Sequence, residues 1–144
     1  MKKYITITLL FFASLSIAIA QKISTQTFVQ QTVMGLQKGY GLRAQTNKGW
    51  GVGVLFQSNG KLSLENSEGN YPFIGLETLI PLTKCGNVSF FLTPKVGFVN
   101  TNYFVIIPEV ETSIKINKRF STAITAGMRS RESSVGAKLI INLK

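Results

Sequence analysis

The sequence has no histidine, and its six acidic residues are all glutamates, so aspartate is absent as well. A Ser–His–Asp triad and its histidine-dependent variants cannot be built from such a chain. One cysteine and no histidine are too few ligands for a zinc site. Glu109 and Glu111 could form a glycosidase-type pair only by facing each other across a cleft, and they lie on one strand face. We therefore expect a protein that is not an enzyme and that holds neither a metal nor a cofactor.

Long apolar runs are also scarce, and the chain contains one, from Ile5 to Ala20. Lys2 and Lys3 precede it, and it ends in Ala18-Ile19-Ala20, the small-x-small pattern that signal peptidase cleaves. We predict that residues 1–20 are a signal peptide and that residues 21–144 are the exported domain. An uncleaved membrane anchor is the alternative. A spanning helix needs about 20 apolar residues, and the run from Ile5 to Ala20 is shorter than that.

Charge is sparse, with 15% charged residues against about 25% in a typical soluble domain. Without residues 1–20 the chain keeps 16 − 2 = 14 Lys and Arg against 6 Glu, a net charge of +8. After a signal peptide this balance favours anionic lipid headgroups or lipopolysaccharide as partners rather than nucleic acid. Cys85 cannot form an internal disulfide alone, and we interpret it as an inert turn residue.

The remaining sequence alternates with period two, which is typical of β-strands because successive side chains point to opposite faces. In the stretch from Val88 to Val99 the even-numbered positions from Val88 to Phe98 are apolar, or proline at Pro94, whereas Ser89, Thr93 and Lys95 lie on the other face. Alternation of this kind predicts eight strands, at about 27–36, 39–46, 49–57, 71–82, 87–99, 103–116, 119–130 and 133–143. The first is poorly patterned, which leaves seven strands as the alternative.

The segments between the strands are rich in turn residues. Asn47-Lys48-Gly49, Asn100-Thr101-Asn102 and Asn117-Lys118-Arg119 are short links in which Asn and Gly accept positive φ. Ser58–Asn70 is the single long loop. If both termini are periplasmic, the short links at 47–48, 83–86 and 117–118 are periplasmic too, and the long loop is extracellular, as in outer-membrane barrels. We therefore predict an all-β, eight-stranded antiparallel up-and-down barrel.

The orientation of the two strand faces separates two interpretations. A soluble secreted barrel would bury the apolar face, whereas a membrane barrel turns it toward lipid and encloses the polar face. The polar faces carry few charges, and the strand lengths match the 9–11 residues needed to cross a bilayer. We therefore favour the membrane barrel, whose lumen would contain a charge network formed by Arg43, Glu77, Lys95, Glu109, Glu111, Lys115, Arg129 and Lys138.

On these features the chain resembles the small outer-membrane β-barrel families, namely the OmpA-like transmembrane domain and its short relatives. The resemblance covers nearly all of residues 21–144 and rests on the signal peptide, the Gly-aromatic segment Gly49-Trp50-Gly51-Val52-Gly53-Val54 and the amphipathic last strand. The family's last strand usually ends in an aromatic residue that the assembly machinery reads, and this chain ends in Leu143-Lys144 instead. The resemblance implies a location in the bacterial outer membrane, in contact with its lipid, lipopolysaccharide and assembly machinery.

Three functions remain open at this point. The first is a structural or surface-interaction barrel, closed by its charged side chains, with Ser58–Asn70 and Arg129–Ser134 as contact points. The second is a narrow, porin-like ion path, which is disfavoured because an eight-stranded interior is just wide enough for side chains to fill. The third is a soluble periplasmic or secreted barrel that binds a lipid or another apolar ligand.

Overall fold

A single antiparallel sheet closes on itself to form the molecule. The computed structural model describes residues 22–32, 35–59, 72–129 and 132–143. The strands are β1 (Lys22–Thr32), β2 (Gly35–Gln45), β3 (Gly51–Asn59), β4 (Phe73–Cys85), β5 (Val88–Leu92 and Lys95–Val99), β6 (Tyr103–Ile107 and Glu109–Lys115), β7 (Phe120–Arg129) and β8 (Glu132–Asn142). The predicted signal peptide, residues 60–70 of the predicted long loop and residues 130–131 of the last link lie outside the described residues.

Each strand pairs with the next along the chain, and the last pairs with the first. The closing ladder joins β8 to β1 in an antiparallel register, with Lys138 opposite Phe28 and Gly136 opposite Gln30. This closure confirms the eight-stranded up-and-down barrel and excludes the seven-stranded alternative. The predicted short links at 47–49, 100–102 and 117–119 are all turns or bends.

The first two strands differ from their predicted bounds. β1 begins at Lys22 rather than near residue 27, and Gly35 and Leu36 belong to β2. Gly35 pairs with Thr32 and Gln37 with Gln30, so residue 37 lies within the β1–β2 ladder and not in the turn. Gly35 accepts its φ of +92° because it has no Cβ. The pattern of β1 is weak because its inward face carries both Gln26 and Phe28, while its outward face includes Thr27. Cys85 is likewise the exposed last residue of β4 and does not lie within the turn.

Prolines interrupt two strands without ending them. Pro94 divides β5 and Pro108 divides β6. Proline donates no backbone hydrogen bond, but its carbonyl still accepts one. The Pro94 carbonyl accepts from the amide of Thr78 at 3.1 Å and the Pro108 carbonyl from that of Met128 at 3.0 Å. The inward and outward alternation therefore continues through both sites. A bulge in β4 between Pro81 and Thr83 adds one residue near the end of the strand.

The barrel is apolar outside and polar inside. Large apolar side chains project outward from the strands and are 38–69% exposed, among them Leu42, Val54, Ile74, Phe98, Ile106, Val110, Ile124, Val135 and Leu139. Charged and amide side chains point inward. A soluble barrel with an apolar interior requires the reverse arrangement. Within the described residues there is no helix long and apolar enough to span a membrane.

Candidate functional site

The most unusual feature of the interior is a buried network of ion pairs. Arg43 on β2 lies at its centre and is 3% exposed. Its Nε donates to Oε1 of Glu77 on β4 at 2.6 Å. Its Nη1 and Nη2 donate to the two carboxylate oxygens of Glu111 on β6, at 2.8 and 2.6 Å. This forked geometry matches the planar guanidinium to a carboxylate, and it fixes the relative position of three strands.

Two lysines complete the network. Lys138 on β8 places its Nζ 2.9 Å from Glu77 Oε2, 2.8 Å from Glu111 Oε2 and 3.2 Å from Glu109 Oε1. Lys95 on β5 donates to Glu109 Oε2 at 2.6 Å. The network thus contains three cations and three anions and has no net charge. This neutrality matters because burying an unpaired charge away from water destabilises a protein by roughly several kcal/mol.

Amide side chains extend the network toward the end of the barrel that is opposite the termini. Gln26 donates to Glu77 at 3.0 Å. Gln30 donates to Glu109 at 3.1 Å and to Ser134 at 3.0 Å, and it accepts from Gln57 at 3.2 Å. Gln57 also donates to Gln37. The polar side chains therefore hydrogen-bond to one another and satisfy donors that lie away from water.

The rest of the interior near that end is apolar. Its core consists of Phe28, Leu55, Phe73, Val99 and Ile107, each at most 7% exposed. The Lys95 ammonium lies 5.3 Å from the centre of the Phe28 ring, within the range of a cation–π contact. This cluster packs beside the ion pairs, so side chains fill the middle of the barrel.

The predicted lumen residues divide into three groups. Six of the eight, Arg43, Glu77, Lys95, Glu109, Glu111 and Lys138, are buried and ion-paired with one another. Lys115 faces inward but is exposed, because it is the last residue of β6 and lies at the open end of the barrel. The side chain of Arg129 lies outside the described residues.

The predicted lumen network did not include the glutamines. Gln26, Gln30 and Gln57 are all inward-facing and at most 4% exposed. The period-two rule could have identified Gln26 and Gln30, since they alternate with Thr25, Thr27 and Val29 along β1. The alternation is hard to see on β1 because glutamine and threonine are both polar. On the other strands Lys or Glu alternates with Val or Ile, and the difference in polarity is much larger.

The ion pairs of the network join five strands, β2, β4, β5, β6 and β8. Every carboxylate of the network accepts from at least one cation within 2.9 Å. None of the described residues form a group of three or more metal-ligating side chains. Ion-paired carboxylates are poor proton acceptors because the neighbouring cations favour their charged form.

Several solved structures share the fold of this chain. The chain is similar to a structure from the de novo design of transmembrane β-barrels, with a TM-score of 0.72 and 9% identity over 86% of this chain and 97% of that one. It is also similar to the de novo designed TMB2.3, with a TM-score of 0.64 and 11% identity over 85% and 94% of the two chains. Neisserial surface protein A (NspA) matches with a TM-score of 0.55 and 9% identity, over 83% and 94%.

These identities establish likeness of fold alone. No family model matches the sequence, and no curated protein sequence matches it. The fold of this chain is thus shared with a designed transmembrane β-barrel.

Proposed function

We propose that this chain is an exported, non-enzymatic outer-membrane β-barrel with a structural or surface-contact role, closed by the network of Arg43, Glu77, Lys95, Glu109, Glu111 and Lys138. The observation that carries the proposal is the neutral, buried set of three cations and three anions inside an apolar outer surface. Such a network closes the barrel to ions, and such a surface is stable only when lipid covers it.

Lipid and lipopolysaccharide are the partners that fit the outer surface. Trp50 is exposed on the outward face near the end of the barrel that carries the termini, where aromatic residues favour the boundary between lipid and water. Lys38 points outward and is exposed four positions into β2, near the end opposite the termini. An outward lysine is tolerated at a membrane interface and costs about 2–4 kcal/mol at the midplane. We therefore place Lys38 at the level of lipid phosphates. The assembly machinery of the outer membrane is the partner expected during insertion.

The contact surface would be formed by the links at the end opposite the termini. Residues 60–71 and 130–131 connect strands there, and the links at the other end are short. Outer-membrane barrels direct their longer loops outward. We expect Ser58–Asn70 and Arg129–Ser134 to supply the surface contacts.

Fractionation and gel mobility test the location. We expect the protein in the outer-membrane fraction, and we expect it to migrate faster on a gel when unheated than when boiled. Recovery in the soluble fraction, with one mobility under both conditions, would contradict the proposal and favour a soluble secreted barrel.

Planar-bilayer recording distinguishes the closed barrel from the narrow pore. We expect no steady conductance from the wild-type protein. The double variant Arg43→Ser/Glu111→Ser removes one cation and one anion, keeps the charge balance and opens space at the centre, so we expect it to conduct. Steady, ion-selective steps from the wild-type protein would overturn the closed-barrel proposal.

A further inference from the structure

A cavity opens at the end of the barrel that carries the two termini. It has a volume of about 750 Å³, within the range of small-molecule sites, which are about 300–1,000 Å³. Leu79, Phe91 and Ile140 lie at its base beside Arg43 and Glu111, and the turns between strands form its rim. We call this cavity the vestibule.

Five lysines line the vestibule: Lys22, Lys48, Lys84, Lys115 and Lys118. Three of them face inward by strand register. Lys22 lies on the same face of β1 as the buried Ser24. Lys115 lies on the same face of β6 as the buried Glu111. Lys84 on β4 is opposite Ser89, which faces inward on β5. These lysines therefore point into the cavity. Anionic headgroups would explain lysines on the outer surface, but these three do not face lipid.

The positive charge of the vestibule is not balanced by acidic side chains. Glu111 is the single carboxylate among the lining residues, and Arg43 and Lys138 already bind it. Across the part of the chain that the structure describes, no carboxylate lies within ion-pairing distance of these five lysines. Lys22 is close enough to Lys84, Lys115 and Arg43 to be repelled by each.

Hydroxyl groups lie between the lysines. Ser24, Ser89, Ser113 and Ser121 all line the walls of the vestibule. Lysine ammonium groups bind phosphate oxygens as point charges, and hydroxyls add directional hydrogen bonds. A multivalent anion would contact several lysines at once and would relieve their mutual repulsion.

We propose that the vestibule is a binding site for a multivalent phosphate-class anion, held by Lys22, Lys84 and Lys115. The phosphate could belong to a free polyphosphate or to an anionic lipid headgroup in the adjacent leaflet. Arg43 and Glu111 of the ion-paired network also line this site, but Lys22, Lys84 and Lys115 are paired with none of its carboxylates.

The test is titration of the isotope-labelled full-length barrel with inorganic pyrophosphate, followed by NMR in nonionic detergent micelles. We expect saturable shifts confined to the vestibule, including the backbone amides of Ser89, Ser113 and Ser121. Replacing one inward lysine, as in Lys115→Gln, should weaken binding about fivefold, the effect of losing one solvent-exposed charge contact. Lys38→Gln removes the same charge from the outer surface and should change the affinity less than twofold.

Two further arms complete the design. Lys84→Gln repeats the measurement at a second position if Lys115→Gln does not refold, as judged by heat-dependent gel mobility. Short-chain phosphatidylglycerol tests a lipid source, with phosphatidylcholine as the control of zero net charge. The ligand is a lipid headgroup if phosphatidylglycerol produces the same shifts and pyrophosphate competes with it. If pyrophosphate alone produces them, the ligand is a free phosphate. Non-saturating shifts, or equal weakening by Lys38→Gln and Lys115→Gln, would overturn the proposal.

Discussion

Removing one cation from the buried network should destabilise the barrel strongly, and Lys95 offers the cleanest case. Its Nζ lies 2.6 Å from Glu109 Oε2, and the side chain is 1% exposed. The Lys95→Met variant keeps most of the volume and removes the charge. It leaves Glu109 with Gln30, which donates at 3.1 Å, and with the more distant Lys138 ammonium at 3.2 Å.

The magnitude follows from two opposing terms. At an effective dielectric constant of 20, opposite unit charges 2.6 Å apart attract by about 6 kcal/mol. The cost of dehydrating both ions offsets much of this attraction in the intact pair, but Glu109 remains buried when Lys95 is lost. Breaking a buried pair from one side costs about 3–5 kcal/mol. Because Gln30 and Lys138 still compensate Glu109 in part, we expect the lower figure, about 3 kcal/mol.

Lys115→Met is the matched control. Lys115 has the same inward parity on the neighbouring strand β6, but it is exposed at the open end. Its removal should change the free energy of unfolding by less than about 1 kcal/mol, the usual range for a solvent-exposed charge. The comparison therefore separates the effect of burial from the effect of changing lysine to methionine.

Equilibrium unfolding in lipid vesicles measures both variants, with the fluorescence of Trp50 as the signal. The sequence contains a single tryptophan, so this signal comes from one site, in the link between β2 and β3. Adding Glu109→Gln to Lys95→Met restores neutrality, and we expect the double variant to recover about 1–3 kcal/mol relative to additivity. Equal stabilities of Lys95→Met and Lys115→Met would refute the reasoning.

Three further predictions test the packing, the lipid-facing surface and the orientation. A Cβ added at Gly97 would lie 2.3 Å from the backbone oxygen of Ile74 and 2.5 Å from the Cα of Gly75, so Gly97→Ala should cost about 1–3 kcal/mol in vesicle unfolding; because these contacts are with the backbone, Phe73→Leu in the same chain should not restore the full stability, and complete recovery would contradict the packing. Val110→Lys, near the middle of β6, should cost about 2–4 kcal/mol, whereas Ile116→Lys, just beyond the strand on the same face, should cost about 0–1 kcal/mol; equal costs would argue against a bilayer around the barrel. Cys85 is exposed at the end that carries the termini, so an impermeant maleimide should label it only after the outer membrane is permeabilised, and labelling of intact cells would reverse the orientation.

Much of the barrel follows from period-two alternation where the two faces differ sharply. In β5 the apolar residues of one face alternate with Ser89, Thr93 and Lys95, and this contrast predicts both the strand and its inward side. In β1 the contrast is lost, because Phe28 points inward and Thr27 outward. The bounds of β1 were therefore wrong, although its presence was predicted. Its register is set by the ladders to β2 and β8, which no local pattern contains.

The charged interior shows the same division between what is local and what is not. Parity assigns a side chain to the inside of a barrel, but it does not give its height along the barrel axis. Lys95 and Lys115 share inward parity on neighbouring strands, yet one is sealed in an ion pair and the other faces water. Arg43 meets Glu77 and Glu111 across 34 and 68 residues of sequence because the barrel closes and its strands are staggered. Alternation thus identifies which charges can enter the lumen, and strand stagger determines which of them neutralise one another and which remain free to bind an anion.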